Sequence, residues 1–194
     1  MKLIKYVRIY IVMVLILLVM TACGKDKGDT VETSGHLGIY GDWSYIHDKD
    51  KEVVEFRKDN TAQYEGKEYT FEYDSQFIKL KGVEGETIRL RYKLDDMGMY
   101  LYSNNTYTFS DEGKPTGLVG KWLCAEKNWS YAFTEGGTFL EDGYFPGNYT
   151  VDDKKATFKL DYKDQFEDTV CYFRIVENQL HVEYPWRMVR YSAK

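Results

Sequence analysis

Three histidines, three cysteines and several closely spaced acids are the residues that could carry chemistry in this sequence. His36, His47 and His181 stand far apart and form no His-x-x-x-His pair, so the spacing expected of a metal site is missing. His181 alternates with Leu180 and Val182, which predicts a solvent-facing position on a strand. Asp48, Asp50 and Glu52 alternate as calcium ligands do, but Val53 occupies the place where a calcium loop turns sharply on Gly, so a charged hairpin tip is the expectation. Asp95-Asp96 and Asp152-Asp153 fall in turn contexts, where Asp binds its own backbone, whereas glycoside hydrolysis needs acids converging in a cleft. No Gly-x-Ser-x-Gly elbow and no Gly-rich phosphate loop occurs. The expectation is a protein that is not an enzyme, with no catalytic residues, no cofactor and no metal.

Aromatic residues supply 16% of the chain, and many lie two apart: Tyr100 and Tyr102, Tyr131 and Phe133, Tyr184 and Trp186. Such spacing puts both rings on one face of a strand, where they either fill a small β core or line a cavity or face that takes an apolar or sugar-like ligand. Trp129 lies beside a turn and out of step with Trp122, and is the aromatic expected to be most exposed.

The elements that must position these residues are strands. From Gly41 onward the pattern alternates with period two, as in Lys67 to Tyr73, and turn signals such as Lys58-Asp-Asn, Glu65-Gly-Lys and Glu141-Asp-Gly recur about every ten residues. This is the spacing of an all-β antiparallel meander. The pattern also occurs twice. Ile39-Tyr-Gly41-Asp-Trp43 with a later Phe56 and Thr61 matches Leu118-Val-Gly120-Lys-Trp122 with Phe133 and Thr138. Setting Tyr69 on Tyr149, Leu80 on Leu160 and Leu94 on Ile175 gives a repeat of about 80 residues. Residues 36–110 and 117–194 are then expected to be two modules, with 111–116, which contains Gly113 and Pro115, as the linker. The alternative is that each repeat forms half of one barrel.

The N-terminus has a basic start with Lys2, Lys5 and Arg8, an apolar run from Ile9 to Met20, and small residues before Cys23, the plan of a secretory signal. Removing residues 1–22 takes the net charge from -5 to -8, because the three cations go and no acid does. A negative chain with interleaved Lys and Glu/Asp argues against a nucleic-acid partner. Residues 24–35 are small or charged and read as a flexible tether. Val19-Met20-Thr21-Ala22-Cys23 resembles the lipobox of bacterial lipoproteins. That resemblance implies a signal peptide over 1–22, a diacylglycerol on Cys23, and a body held at the extracytoplasmic face of a bacterial cell membrane.

The Gly-x-Trp opening, the Phe-x-x-x-Gly/Asn-Thr hairpin, Gly147-x-Tyr149-Thr-Val and the later Tyr-x-Ile followed by Leu-x-Val are similar to small lipocalin-like domains of bacterial lipoproteins. The resemblance implies two tandem small meander β-barrels in which Gly41, Trp43, Gly120 and Trp122 are structural motif residues. In lipocalins an Arg from the last strand covers this Trp, which here implies Arg190 over Trp122; the first repeat has no Arg in the corresponding stretch Thr106 to Phe109. The function implied is a membrane-anchored extracytoplasmic binding protein that captures a small apolar or amphipathic ligand. The alternative is a surface-interaction or envelope-scaffold protein with filled barrels, contacting a protein or a glycan. With Cys23 lipidated, Cys124 and Cys171 form an even remainder in an exported chain, which makes a disulfide between them an expectation and two buried thiols its alternative.

Overall fold

The computed structural model describes residues 38–191. The expected signal segment over 1–22, Cys23, the expected tether and His36 lie outside the described residues. Those described fold as an antiparallel all-β sheet of fourteen strands with no helix. β1 to β7 (Gly41–Tyr45, Val54–Phe56, Thr61–Tyr64, Lys67–Tyr73, Phe77–Gly82, Thr87–Asp95 and Gly98–Phe109) come from the first repeat. β8 to β14 (Gly120–Cys124, Trp129–Phe133, Thr138–Glu141, Phe145–Asp152, Thr157–Asp161, Thr169–Val176 and Gln179–Arg190) come from the second.

Each strand pairs with its successor, and β14 returns to pair with β1, so the sheet closes on itself. A further pairing bridges the ring: β7 and β14, each of 12 residues, lie antiparallel from Met99 opposite Met188 to Thr108 opposite Gln179. Hydrogen bonding therefore also runs round two smaller circuits. The first passes from β1 to β7 and back through β14; the second passes from β8 to β14 and back through β7. Each circuit is closed by the last strand of the other repeat, since Trp43 faces Arg190 and Trp122 faces Phe109.

The strand exchange corrects one expectation. Arg190 does not cover Trp122; its guanidinium lies 4.0 Å over the Trp43 ring, donates to the Gly38 carbonyl at 2.7 Å and also to the Tyr40 carbonyl. Trp122 is covered by Phe109, whose ring meets it edge-on at 5.0 Å. The cause is the register: the last residue of each repeat's final strand, Phe109 or Arg190, stands opposite the other repeat's Trp.

The Gly-x-Trp motif follows from the same packing. A side chain on Gly41 would strike the Arg190 guanidinium and one on Gly120 would strike the Phe109 ring. Both glycines also hold φ near the edge of the left-handed region, 116° and 119°, which side chains rarely adopt. Two residues on, each indole is fully buried and donates to the carbonyl four residues back, Ile39 at 2.8 Å and Leu118 at 2.7 Å.

Two separate cores fill the circuits. The first is built on Trp43, Val54, Phe56, Ile78, Leu80, Leu90 and Met99, with Met188 contributed by β14. The second is built on Trp122, Tyr131, Phe133, Phe158, Leu160, Cys171 and Leu180, with Tyr107 contributed by β7. The structural register sets Phe71, not Tyr69, on Tyr149: each opposes the matching leucine, Leu80 or Leu160, and each donates its amide to the matching turn carbonyl, Asn60 or Gly137.

Candidate functional site

Along β7 the odd-numbered side chains and along β14 the even-numbered ones share one face of the ribbon. Met99 and Leu101 sink into the first core, while Tyr107, Leu180 and Val182 sink into the second. Ser103, Asn105, Tyr184 and Trp186 occupy the stretch between, where the ribbon passes from one core to the other. This is the centre of the pseudo-symmetric arrangement, since Ser103 opposes Tyr184.

A polar chain runs through this saddle. The Trp186 Nε1–H donates to Ser103 Oγ at 2.9 Å, the Asn105 amide donates to the same oxygen at 3.1 Å, and the Lys127 ammonium donates to Asn105 Oδ1 at 2.8 Å. Half-buried aromatic rings flank it. Tyr45 and Tyr184 lie 5.5 and 5.1 Å from Trp186, and Lys127 lies 4.7 Å over the Trp129 ring. Trp129, expected to be the freest of the aromatics, is thus half-buried, because the second core and the Lys127 stem share its faces. Residues from β1, β7, β14 and the β8–β9 turn meet here, so both repeats build the site.

Behind the saddle lies a half-buried carboxylate. Tyr131 donates to Glu141 Oε1 at 2.8 Å and Tyr162 donates to Oε2 at 2.7 Å, while the Tyr162 hydroxyl also interacts with Tyr184. Burial pushes the Glu141 carboxyl above its ordinary value, although the two tyrosine hydrogen bonds oppose the shift. Burial likewise raises Tyr184 and Tyr45, the latter helped by the Glu65 charge. The phenols therefore stay protonated and act as hydrogen-bond donors and acceptors rather than as bases.

The other sequence candidates are dispersed. Cys124 and Cys171 both stand in the second core as free thiols, so the expected bond is not made in this structure; the Cys171 thiol is pushed well up by burial, which makes it inert as a nucleophile. His47 is exposed on the β1–β2 loop, and His181 Nδ1 lies 3.1 Å from Thr106 Oγ1 on the far face of the ribbon. Asp95 accepts from the Met97 and Gly98 amides at its own turn and takes a bidentate pair with Arg187 at 2.6 and 2.8 Å, which holds its carboxyl down at about 2. Asp152 likewise accepts from the Lys155 amide. Among the described residues no group of three or more His, Cys, Asp or Glu side chains is placed to hold a metal ion.

Sequence reasoning singled out Tyr184, Trp186 and Trp129 but not Ser103, Asn105 or Lys127. The signal was present in the alternation of β7: after Met99 and Leu101, the core face turns to Ser103 and Asn105 before apolar residues resume at Tyr107. No family model, no curated protein and no solved structure matches the sequence.

Proposed function

We propose that this chain is a lipid-anchored extracytoplasmic binding protein, built of two lipocalin-like barrels that exchange their last strands, and that it binds its ligand on the saddle between them rather than inside either barrel. The anchor is the lipobox-like Cys23, and its place is the outer face of the bacterial cell membrane. Filled interiors favour this surface-binding reading over capture of an apolar molecule in a barrel, since Trp43, Trp122, Tyr131, Phe158 and Leu160 are all essentially inaccessible to solvent. The observation that carries it is the Trp186–Ser103–Asn105–Lys127 chain beside half-exposed Tyr45, Tyr184 and Trp129. Flat rings beside an ammonium, an amide and a hydroxyl suit a ring-bearing, hydroxylated ligand such as a cell-wall glycan fragment.

The test is a titration of intrinsic tryptophan fluorescence with cell-wall oligosaccharides and, separately, with a fluorescent fatty acid. Oligosaccharide binding that is lost in Trp186→Ala and weakened in Lys127→Ala is the expected result. Binding of the fatty acid alone, unaffected by Trp186→Ala, would return the ligand to a barrel interior.

A further inference from the structure

The opposite face of the same ribbon has different chemistry. Even-numbered residues of β7 and odd-numbered residues of β14 point away from both cores, and with the outward residues of β5, β6 and β13 they form one continuous sheet face. Pairing sets Lys79 beside Arg89, Phe77 beside Arg91, Lys93 beside Tyr100, Tyr100 beside Arg187, and His181 beside Arg174. Three of these cations are paired, Lys79 with Glu72, Arg91 with Glu183 and Arg187 with Asp95, and Lys81, outward on β5 beside them, shares Glu72 at 3.6 Å. Arg89, Lys93 and Arg174 make no salt bridge with a described residue. This is a cationic face on a chain whose net charge is -5.

The face offers charge laid over its rings. Arg89 lies 3.4 Å over the Phe77 ring, Arg91 lies 3.8 Å over Tyr172, and Tyr102 is buried beside Tyr172, so guanidinium groups cover the rings that a sugar would need for stacking. Spread cations on a broad sheet match a planar array of negative charge better than a single ligand. We infer that this face docks on a bilayer surface rich in anionic lipid headgroups, so that the saddle on the other side of the ribbon faces away from the membrane. The inference rests on the proposed anchor at Cys23. The fourteen residues between Cys23 and Gly38, at most about 3.5 Å each, keep the body within about 50 Å of the bilayer.

The test uses the full lipidated chain, reconstituted into vesicles of phosphatidylcholine alone or with added phosphatidylglycerol, and maps lysine acetylation by mass spectrometry. Lys81 and Lys93 should be labelled about fivefold less on the anionic vesicles, with the protection lost at high salt. Lys49, Lys58 and Lys114, exposed elsewhere, should be labelled alike on both. The doubly substituted chain Arg89→Glu, Arg174→Glu, with its thermal transition unchanged, should lose the protection. Retention on both vesicles with equal labelling of Lys81 and Lys93 would overturn the inference and leave the anchor standing, whereas release from both would overturn the anchor and the inference together. Protection by a soluble polyanion but not by anionic vesicles would also overturn it, in favour of an anionic polymer.

Discussion

The two repeats lay down the same strands and fill them differently. Positions matched by register carry Val54 and Tyr131, Tyr64 and Glu141, Leu90 and Cys171, Ala62 and Phe139. The first core is closed by aliphatic and aromatic packing. In the second, larger phenols occupy the interior and a carboxylate ties two of them together. A half-buried carboxylate is best tolerated while its lone pairs are occupied, so the second half depends on hydrogen-bond geometry where the first depends on shape. The lesson is that duplication preserved the backbone solution, Gly-x-Trp and its carbonyl partner, while leaving the filling free to diverge.

The comparison breaks most visibly at the tryptophans. Trp43→Ala and Trp122→Ala should each cost about 3 to 5 kcal/mol, the usual range for a fully buried large aromatic. Because β7 and β14 belong to both circuits, chemical denaturation should show one cooperative transition shifted by either change. Two separable transitions, each sensitive to one tryptophan, would mean that the halves unfold as independent modules.

Glu141→Leu comes next. It removes the acceptor of the fully buried Tyr131 hydroxyl and of Tyr162, which keeps its interaction with Tyr184, at about 1 to 3 kcal/mol in all. Tyr64→Leu, at the matched place in the first repeat, should cost less than Glu141→Leu in the same urea titration, and the reverse order would deny the second core its special dependence on polar pairing.

Arg190→Ala and Phe109→Ala then compare the two covers. Arg190 combines a cation–π contact with donors to two carbonyls, so its loss should cost about 1 to 3 kcal/mol. In both variants the fluorescence change should come from the tryptophan of the other repeat, and a change at the same repeat's tryptophan would contradict the exchange.

The smallest effect is in pH dependence, where two carboxyls pull opposite ways. Glu141 binds its proton more tightly folded than unfolded, so its share of stability is full below about 4.5 and is lost as pH rises through the higher folded value. Asp95 is held down at about 2 from an ordinary 3.8, so its share is present above the ordinary value and is lost as pH falls toward 2. Glu141→Gln should flatten the alkaline-side decline and Asp95→Asn the acid-side one. Thermal melts from pH 2 to 8 check both, and unchanged slopes would refute the assignments.

Strand character, turn spacing and the duplication could be read directly from alternation and from the paired Gly-x-Trp motifs. What could not be read was the exchange. The last strand of each repeat has the same pattern whether it closes on its own first strand or on the other's, so periodicity is degenerate between the two closures. The choice shows only in long-range contacts such as Arg190 with Trp43. The misplaced match of Tyr69 with Tyr149 has a local cause. The β10–β11 turn carries one more residue than its counterpart, Tyr144, and the remaining length difference falls later, between β11 and β12. The cationic face leaves no signature in the sequence because its members come from separate strands, each interrupted by core residues and acids.

The pairing of β1 with the end of β14 also governs the order in which the chain can be completed. A nascent chain that has emerged as far as Phe109 contains every strand of the first repeat but not Met188–Arg190, which supply the partner for Trp43 and a fully buried member of the first core. The N-terminal half must therefore wait until Met188–Arg190 have been made, holding β1 open across nearly all of the described strands, a long closure of the kind that slows folding. A truncation that removes only Arg187 onward should for the same reason do its damage at the opposite end of the sequence, loosening Trp43 while leaving Trp122 in place.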